Sequence, residues 1–106
     1  MDVPEIDVEQ LARLVEDGAL VVDVRNPDEY VEAHVPGAEL IPLGEVPDRT
    51  GEIPTDRAVY VICAMGGRSL KAAEFLIGLG VDATNVAGGT KAWIEAGHPV
   101  NGGEQP

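Results

Sequence analysis

The sequence contains one cysteine and only two histidines among its 106 residues. The single cysteine, Cys63, excludes an internal disulfide. With His34 and His98 as the only imidazoles, a zinc site built from cysteine and histidine has too few ligands. We therefore expect no metal centre and no cofactor, and any chemistry of Cys63 should be that of an unpaired thiol.

Basic residues are also scarce. Seven lysines and arginines face nineteen aspartates and glutamates, which gives a formal charge of −12. Such a surface argues against nucleic acid and anionic membranes as partners. No apolar stretch has the length of a membrane span, and the acidic start of the chain, MDVPEIDVEQ, differs from a signal peptide. We expect a cytoplasmic protein that would need a local positive field to handle an anionic substrate.

Strand-like and helix-like segments alternate along the chain, separated by short turns marked by glycine or proline. We predict strands at residues 19–24, 39–41, 58–62 and 81–86. We predict helices at residues 7–18, 26–34, 69–79 and 90–96. This alternation is typical of an α/β sandwich with a central, mostly parallel sheet and helices on both faces. The length predicts one domain, residues 1–106, with its core at about 8–100 and a flexible tail at 101–106.

Local residue patterns place the helix starts. Asp7 and Gln10 have the spacing of a capping box. Asn26 precedes a proline at the first helical position, and Glu29 completes a second capping box. Thr90 is expected to cap the last helix.

The stretch AVYVICAMGGRSL at residues 58–70 is the most informative. It predicts a strand that ends at Cys63 and is followed by Gly66, Gly67 and the start of a helix. Glycines permit the positive φ angles with which backbone amides can surround an anion, and the helix dipole adds to the effect. Arg68 would add a permanent cation with a fork of donors. Together these features lower the pKa of a cysteine thiol and favour a nucleophilic thiolate.

A lone cysteine is more often a small hydrophobic core residue, and an arginine at a helix start is usually solvated. Here the glycine pair, Arg68 and the helix start all bear on the same sulfur. We therefore interpret Cys63 as a nucleophile with an anion site around it. The residues expected to form that site are Ala64, Met65, Gly66, Gly67, Arg68 and Ser69.

Residues 63–69 (CAMGGRS) resemble the Cys-x-x-Gly-x-Arg-Ser loop of rhodanese domains. Three further stretches resemble that family's other signatures, in the same order along nearly the whole chain. They are residues 23–30 (DVRNPDEY), residues 34–38 (HVPGA) followed by Ile41 and Pro42, and Gly88-Gly89 followed by Trp93, Gly97 and Pro99.

The resemblance implies a rhodanese fold and a sulfurtransferase of the thiosulfate type. In that family the cysteine takes the outer sulfur of a donor such as thiosulfate, sulfite leaves, and a persulfide remains on the enzyme. A thiol or cyanide then accepts the sulfur, and a protein sulfur carrier is a further candidate partner. A covalent intermediate of this kind gives ping-pong kinetics.

Two details of the loop bear on its substrate. Phosphatases of related folds have one residue more between cysteine and arginine, so the four residues here favour sulfur over phosphate. Many family members that use thiosulfate have a basic residue directly after the cysteine, where this chain has Ala64. The loop therefore has less positive charge near the sulfur. A less charged donor or a protein-bound persulfide is also compatible with a rim formed by Ala64 and Met65.

The resemblance also places Asp23 and Arg25 near the loop. A buried Asp23 would brace backbone amides, whereas Arg25 would either pair with Asp23 or Glu29 or add positive potential. Two other functions remain open from the sequence. One is a rhodanese fold used only for protein binding, and the other is a redox sensor, because an activated thiol also oxidises readily.

Overall fold

The computed structural model describes residues 2–106. Its strands and helices follow one another along the chain, with two short 3₁₀ segments near the middle. They are β1 (Glu5–Ile6), α1 (Val8–Glu16), β2 (Leu20–Asp23), α2 (Pro27–Glu32), β3 (Glu39–Leu40), the 3₁₀ segments Leu43–Asp48 and Thr50–Glu52, β4 (Ala58–Ile62), α3 (Gly67–Gly78), β5 (Asp82–Val86) and α4 (Gly89–Glu95).

The five strands form one sheet in the order β1-β5-β4-β2-β3, and every neighbouring pair is parallel. This confirms the α/β sandwich expected from the alternation. Because all strands run the same way, their carboxyl ends lie along one edge. The register pairs Asp23 with Ile62, so the segment after β2 and Cys63 after β4 meet at that edge.

Two apolar cores lie on the two faces of the sheet, because side chains along a strand alternate between faces. On one face, Val22, Val59 and Val61 pack with Leu76 and the alanines of α3. On the other, Val21, Ile62 and Val86 pack with residues of α1, α2 and α4, namely Val8, Leu11, Tyr30 and Trp93. The helices therefore cover both faces, as expected. Within residues 2–106, none of the helices has the length and apolarity that crossing a membrane requires.

The two predicted capping boxes are present. The Asp7 carboxylate accepts a hydrogen bond from the Gln10 amide at 2.8 Å, and the Asp7 amide donates to the Gln10 side chain at 3.0 Å. At α2 the Asn26 amide donates to Glu29 at 3.2 Å. These bonds satisfy amides that have no partner within the helix.

The start of the last helix differs from the prediction. Helix α4 begins at Gly89 and has Gly88, not Thr90, as its N-cap. Thr90 lies inside the helix, and its hydroxyl has no hydrogen-bond partner among residues 2–106. Helix α3 likewise begins at Gly67, two residues before the predicted start.

Residues 101–106, for which the sequence predicts a flexible tail, contact the end of α2 and the segment that follows it. Asn101 pairs with His34 in an antiparallel bridge, and the Gly103 amide donates to the Val31 carbonyl at 2.8 Å. The His34 ring is buried and stacked on Tyr30, and its Nε2 lies 2.7 Å from the Gln105 carbonyl oxygen. Backbone hydrogen bonds connect this segment to the rest of the protein although it has no apolar periodicity.

Candidate active site

Cys63 follows β4 directly and is 1% exposed. Its sulfur lies at the bottom of the loop formed by residues 63–69, which connects β4 to α3. The Gly66 amide donates to Sγ at 3.1 Å, and the Ser69 hydroxyl lies 3.3 Å from it. The loop therefore places hydrogen-bond donors around the sulfur.

These donors determine the ionisation of the thiol. Burial acts to raise the pKa of Cys63, because an apolar environment disfavours the charged form. Hydrogen bonds from the Ser69 hydroxyl and from the amides of Ser69, Gly66 and Met65 outweigh that effect and hold the pKa below its ordinary value. A thiolate is the form that attacks sulfur or carbon electrophiles.

One glycine of the loop has the predicted backbone conformation and the other does not. Gly66 has a φ angle of 108°, which a residue with a side chain rarely adopts. Gly67 has no positive φ, because it is already the first residue of α3. The turn that aims the amides at the sulfur therefore depends on Gly66 alone.

Helix α4 holds the loop from outside. The Thr90 amide donates to the Cys63 carbonyl at 2.9 Å, and the Lys91 amide donates to the Ala64 carbonyl at 3.0 Å. The approach is so close that a Cβ atom at Gly89 would lie 2.4 Å from the Cys63 oxygen and 2.6 Å from the Ala64 oxygen. Gly89 also has a φ angle of 58°, so it is required by both space and conformation.

The Arg68 guanidinium forms a bidentate ion pair with a carboxylate of the protein. Its two terminal nitrogens donate to the two oxygens of Glu29 at 2.8 and 2.9 Å. These hydrogen bonds hold the pKa of Glu29 at about 2 against an ordinary value of 4.5. The sequence predicted donors from Arg68 to an anion in the loop; in the structure those terminal donors connect the loop to α2.

Asp23 and Arg25 form a second ion pair, which is buried. The Arg25 Nη2 atom lies 2.8 Å from Asp23 and also 2.8 Å from the Ala33 carbonyl, to which it donates. The Asp23 carboxylate accepts from the Arg25 amide at 3.0 Å as well. Of the two roles open to Arg25 from the sequence, the structure contains the pairing with Asp23.

The sequence did not indicate a second row of polar residues behind the sulfur. Asn85 on β5 is buried, and its Oδ1 lies 2.5 Å from the Ser69 hydroxyl oxygen. The Asn85 side-chain nitrogen donates to Glu5 on β1 at 2.8 Å. No local signal in the sequence indicated this pair, because Glu5 and Asn85 are 80 residues apart.

The rim of the loop is apolar. Met65 is 67% exposed, and Ala64 is half-buried. Ala64 borders a cavity of about 290 Å³ whose wall also includes Lys91 and Ile94 of α4. A larger cavity of about 500 Å³ lies between α2, β3 and the carboxyl-terminal residues, and none of residues 63–69 lines it. The smaller cavity is therefore the one that adjoins the sulfur loop.

Comparison with known proteins agrees with this arrangement. A family model described as "Rhodanese-like domain" matches residues 7–96. The chain is 38% identical over 101 residues to "Sulfurtransferase" of Allochromatium vinosum, covering 92% of this chain and 94% of that one. It is 35% identical to "Thiosulfate sulfurtransferase GlpE" of Pseudomonas syringae pv. syringae, covering 83% and 84%.

A solved structure is similarly close. The crystal structure of a rhodanese-related protein from Thermoplasma volcanium superposes with a TM-score of 0.88 at 35% identity, covering 92% of this chain and 97% of that chain. The four sequence signatures, the parallel sheet and the loop around Cys63 thus coincide with a family match over most of the chain. The chain belongs to the rhodanese-like domain family, whose members related to it include named sulfurtransferases.

Proposed function

We propose that this chain is a sulfurtransferase that carries a sulfane sulfur on Cys63 as a persulfide. The observation that carries the proposal is the placement of Sγ 3.1 Å from the Gly66 amide and 3.3 Å from the Ser69 hydroxyl, at the end of a buried strand. Donors in this arrangement stabilise a thiolate before the reaction. They also suit the negatively charged outer sulfur of a persulfide after it.

The first step with thiosulfate as donor is a displacement at sulfur. The Cys63 thiolate attacks the outer sulfur of thiosulfate and forms an S–S bond. The bond between the two thiosulfate sulfurs breaks, and sulfite leaves with its electron pair. Since the hydrogen-bond donors around Cys63 favour its thiolate and sulfite is a stable anion, the step needs no general base.

In the second step an acceptor thiolate, or cyanide, attacks the outer sulfur of the persulfide. The new bond forms to the acceptor, and the Cys63 sulfur leaves as a thiolate. The donors that lower the pKa of Cys63 also make it a better leaving group here. The loop therefore serves both half-reactions with the same contacts.

The surroundings of the sulfur favour a slender donor. Cys63 is 1% exposed, so a donor must reach the sulfur with a narrow end, such as the terminal sulfur of thiosulfate or of another persulfide. The relative named for thiosulfate is similar over more than four fifths of both chains, which supports thiosulfate as the donor to test. The apolar rim at Ala64 and Met65 is also compatible with a protein sulfur carrier as partner.

The proposal is tested by intact-mass spectrometry. Wild-type protein incubated with thiosulfate should gain about 32 Da, the mass of one sulfur, and should lose it again with cyanide, as a covalent intermediate requires. Cys63→Ser should remain folded, gain no mass and transfer no sulfur. An active Cys63→Ser variant would overturn the mechanism. A wild-type protein that gains oxygen under peroxide but no sulfur from several donors would favour redox sensing instead.

A further inference from the structure

The Ser69 hydroxyl lies between two acceptors. Its oxygen is 3.3 Å from the Cys63 sulfur and 2.5 Å from Oδ1 of Asn85, and all three residues are at most 1% exposed. A hydroxyl has one hydrogen to donate. Ser69 can therefore donate to the sulfur or to Asn85, but not to both at once.

The orientation of the Asn85 amide is set from the other side. Its nitrogen lies 2.8 Å from a carboxylate oxygen of Glu5 and 3.3 Å from the Gly66 carbonyl. Both partners are acceptors only, so a flipped amide would place oxygen against oxygen at each. Glu5 and Asn85 are paired in the register of β1 with β5. This pairing turns Oδ1 of Asn85 towards Ser69.

The charge on the sulfur decides which acceptor receives the hydrogen. When Cys63 is a thiol, its S–H can donate to the Ser69 oxygen while Ser69 donates to Asn85. When Cys63 is a thiolate, the anion is the stronger acceptor and draws the hydroxyl to itself. Oδ1 of Asn85 then has no donor and remains buried, which is unfavourable. Asn85 therefore opposes formation of the thiolate.

We propose that Asn85, oriented by Glu5, is a positioning residue that takes the Ser69 hydroxyl when the Cys63 sulfur is uncharged and releases it when that sulfur becomes a thiolate. The inference rests on the proposed function, in which Cys63 alternates between a thiolate and a persulfide. In the persulfide the charge lies on the outer sulfur, and the Cys63 sulfur itself is a neutral, weak acceptor. Asn85 therefore favours the sulfur-loaded state over the free thiolate.

The test is a pH titration of thiolate absorbance in the ultraviolet, with no sulfur donor present. Cys63 is the only cysteine, so the signal reports one site once the titration of Cys63→Ser is subtracted. Asn85→Leu should lower the apparent pKa of Cys63 by about one unit, because it removes one competing acceptor of ordinary hydrogen-bond strength. Ser69→Ala should raise the pKa by a similar amount.

The double variant separates the hydroxyl from other effects. With Ser69→Ala already in place, adding Asn85→Leu should leave the pKa unchanged to within about 0.3 units, since the two residues act through one hydrogen bond. An equal downward shift in both backgrounds would overturn the proposal, because Asn85 would then act independently of the Ser69 hydroxyl. No shift in either background would overturn it as well.

Glu5 provides a milder test, because it is exposed on a short edge strand. Glu5→Gln removes the charge but keeps an oxygen that can hold the Asn85 amide, whereas Glu5→Ala frees that amide to rotate. The pKa should fall further in Glu5→Ala than in Glu5→Gln. Equal shifts would show a charge effect alone and would refute the positioning role, even where Asn85→Leu fails to fold. A wild-type protein that takes no sulfur from thiosulfate would overturn the proposed donor but would leave these titrations valid.

Discussion

The ion pair between Arg68 and Glu29 should stabilise the folded protein at neutral pH, and this contribution should be lost in acid. The pair joins the sulfur loop to α2 across 39 positions of sequence. The pKa of Glu29 falls from 4.5 to about 2 in the folded protein, chiefly through its hydrogen bonds with Arg68. At about 1.4 kcal/mol per unit this corresponds to roughly 3 kcal/mol before screening by solvent.

Solvent reduces that figure. The side chains of Arg68 and Glu29 are 36% and 30% exposed, so we expect a net coupling of about 1 kcal/mol. Because the folded pKa is the lower one, the contribution is fully present above pH 4.5. It should decline as the pH falls from 4.5 towards 2, where Glu29 is protonated in the folded state too.

A double-mutant cycle with Arg68→Ala and Glu29→Gln measures this coupling. Urea unfolding at pH 7 should give about 1 kcal/mol, and unfolding near pH 3 should give less than half of it. The exposed pair of Arg49 and Glu45 is the matched control and should give a smaller coupling. A coupling near zero at pH 7 would contradict a stabilising role for this pair.

Arg68→Ala should slow persulfide formation by about 1 kcal/mol of activation free energy, because it removes the contact that joins the sulfur loop to Glu29. Arg68→Lys should recover only part of this loss, because an ammonium cannot bind both oxygens of Glu29. Stopped-flow rates that are equal for all three proteins would contradict this. Ala64→Arg should lower the KM for thiosulfate about fivefold at low salt and less at high salt, and an unchanged KM would show that Ala64 does not face the donor. Gly89→Ala should reduce the free energy of unfolding by more than about 2 kcal/mol. Gly67→Ala is the control and should change it little, because a Cβ atom at Gly67 would meet nothing within 4 Å. Similar urea midpoints for the two variants would refute the tight approach of α4 to the loop.

Elements with a local pattern could be predicted from the sequence. Strand β4 was predicted at residues 58–62 because an apolar run ends there at a cysteine and a glycine turn. The start of α1 followed from Asp7 and Gln10, whose spacing within one helical turn is itself the structural cause. The cysteine loop belongs to this class, since the strand end, Gly66 and the next helix are adjacent in sequence.

Elements held by distant partners could not be predicted in this way. Strand β1 has two residues and exists because it pairs with β5, about 80 positions later. The backbone bonds of Asn101 and Gly103 to His34 and Val31 likewise join positions about 70 residues apart. The wrong prediction of Thr90 as the N-cap of α4 has the same origin. Thr90 is a common capping residue, but only the approach of α4 to the Cys63 carbonyl shows why the helix begins at Gly89.

The backbone of the loop explains why these distant parts belong to the site. The N–H and C=O of one peptide unit point in opposite directions, so a loop that turns its amides inwards to a sulfur must turn its carbonyls outwards. Those carbonyls then lie within the protein and need donors. Helix α4 supplies them to Cys63 and Ala64, and the Asn85 side chain supplies one to Gly66. The positions of the donors around the Cys63 sulfur therefore depend on residues that do not contact it, including Gly89, which allows α4 to approach the loop.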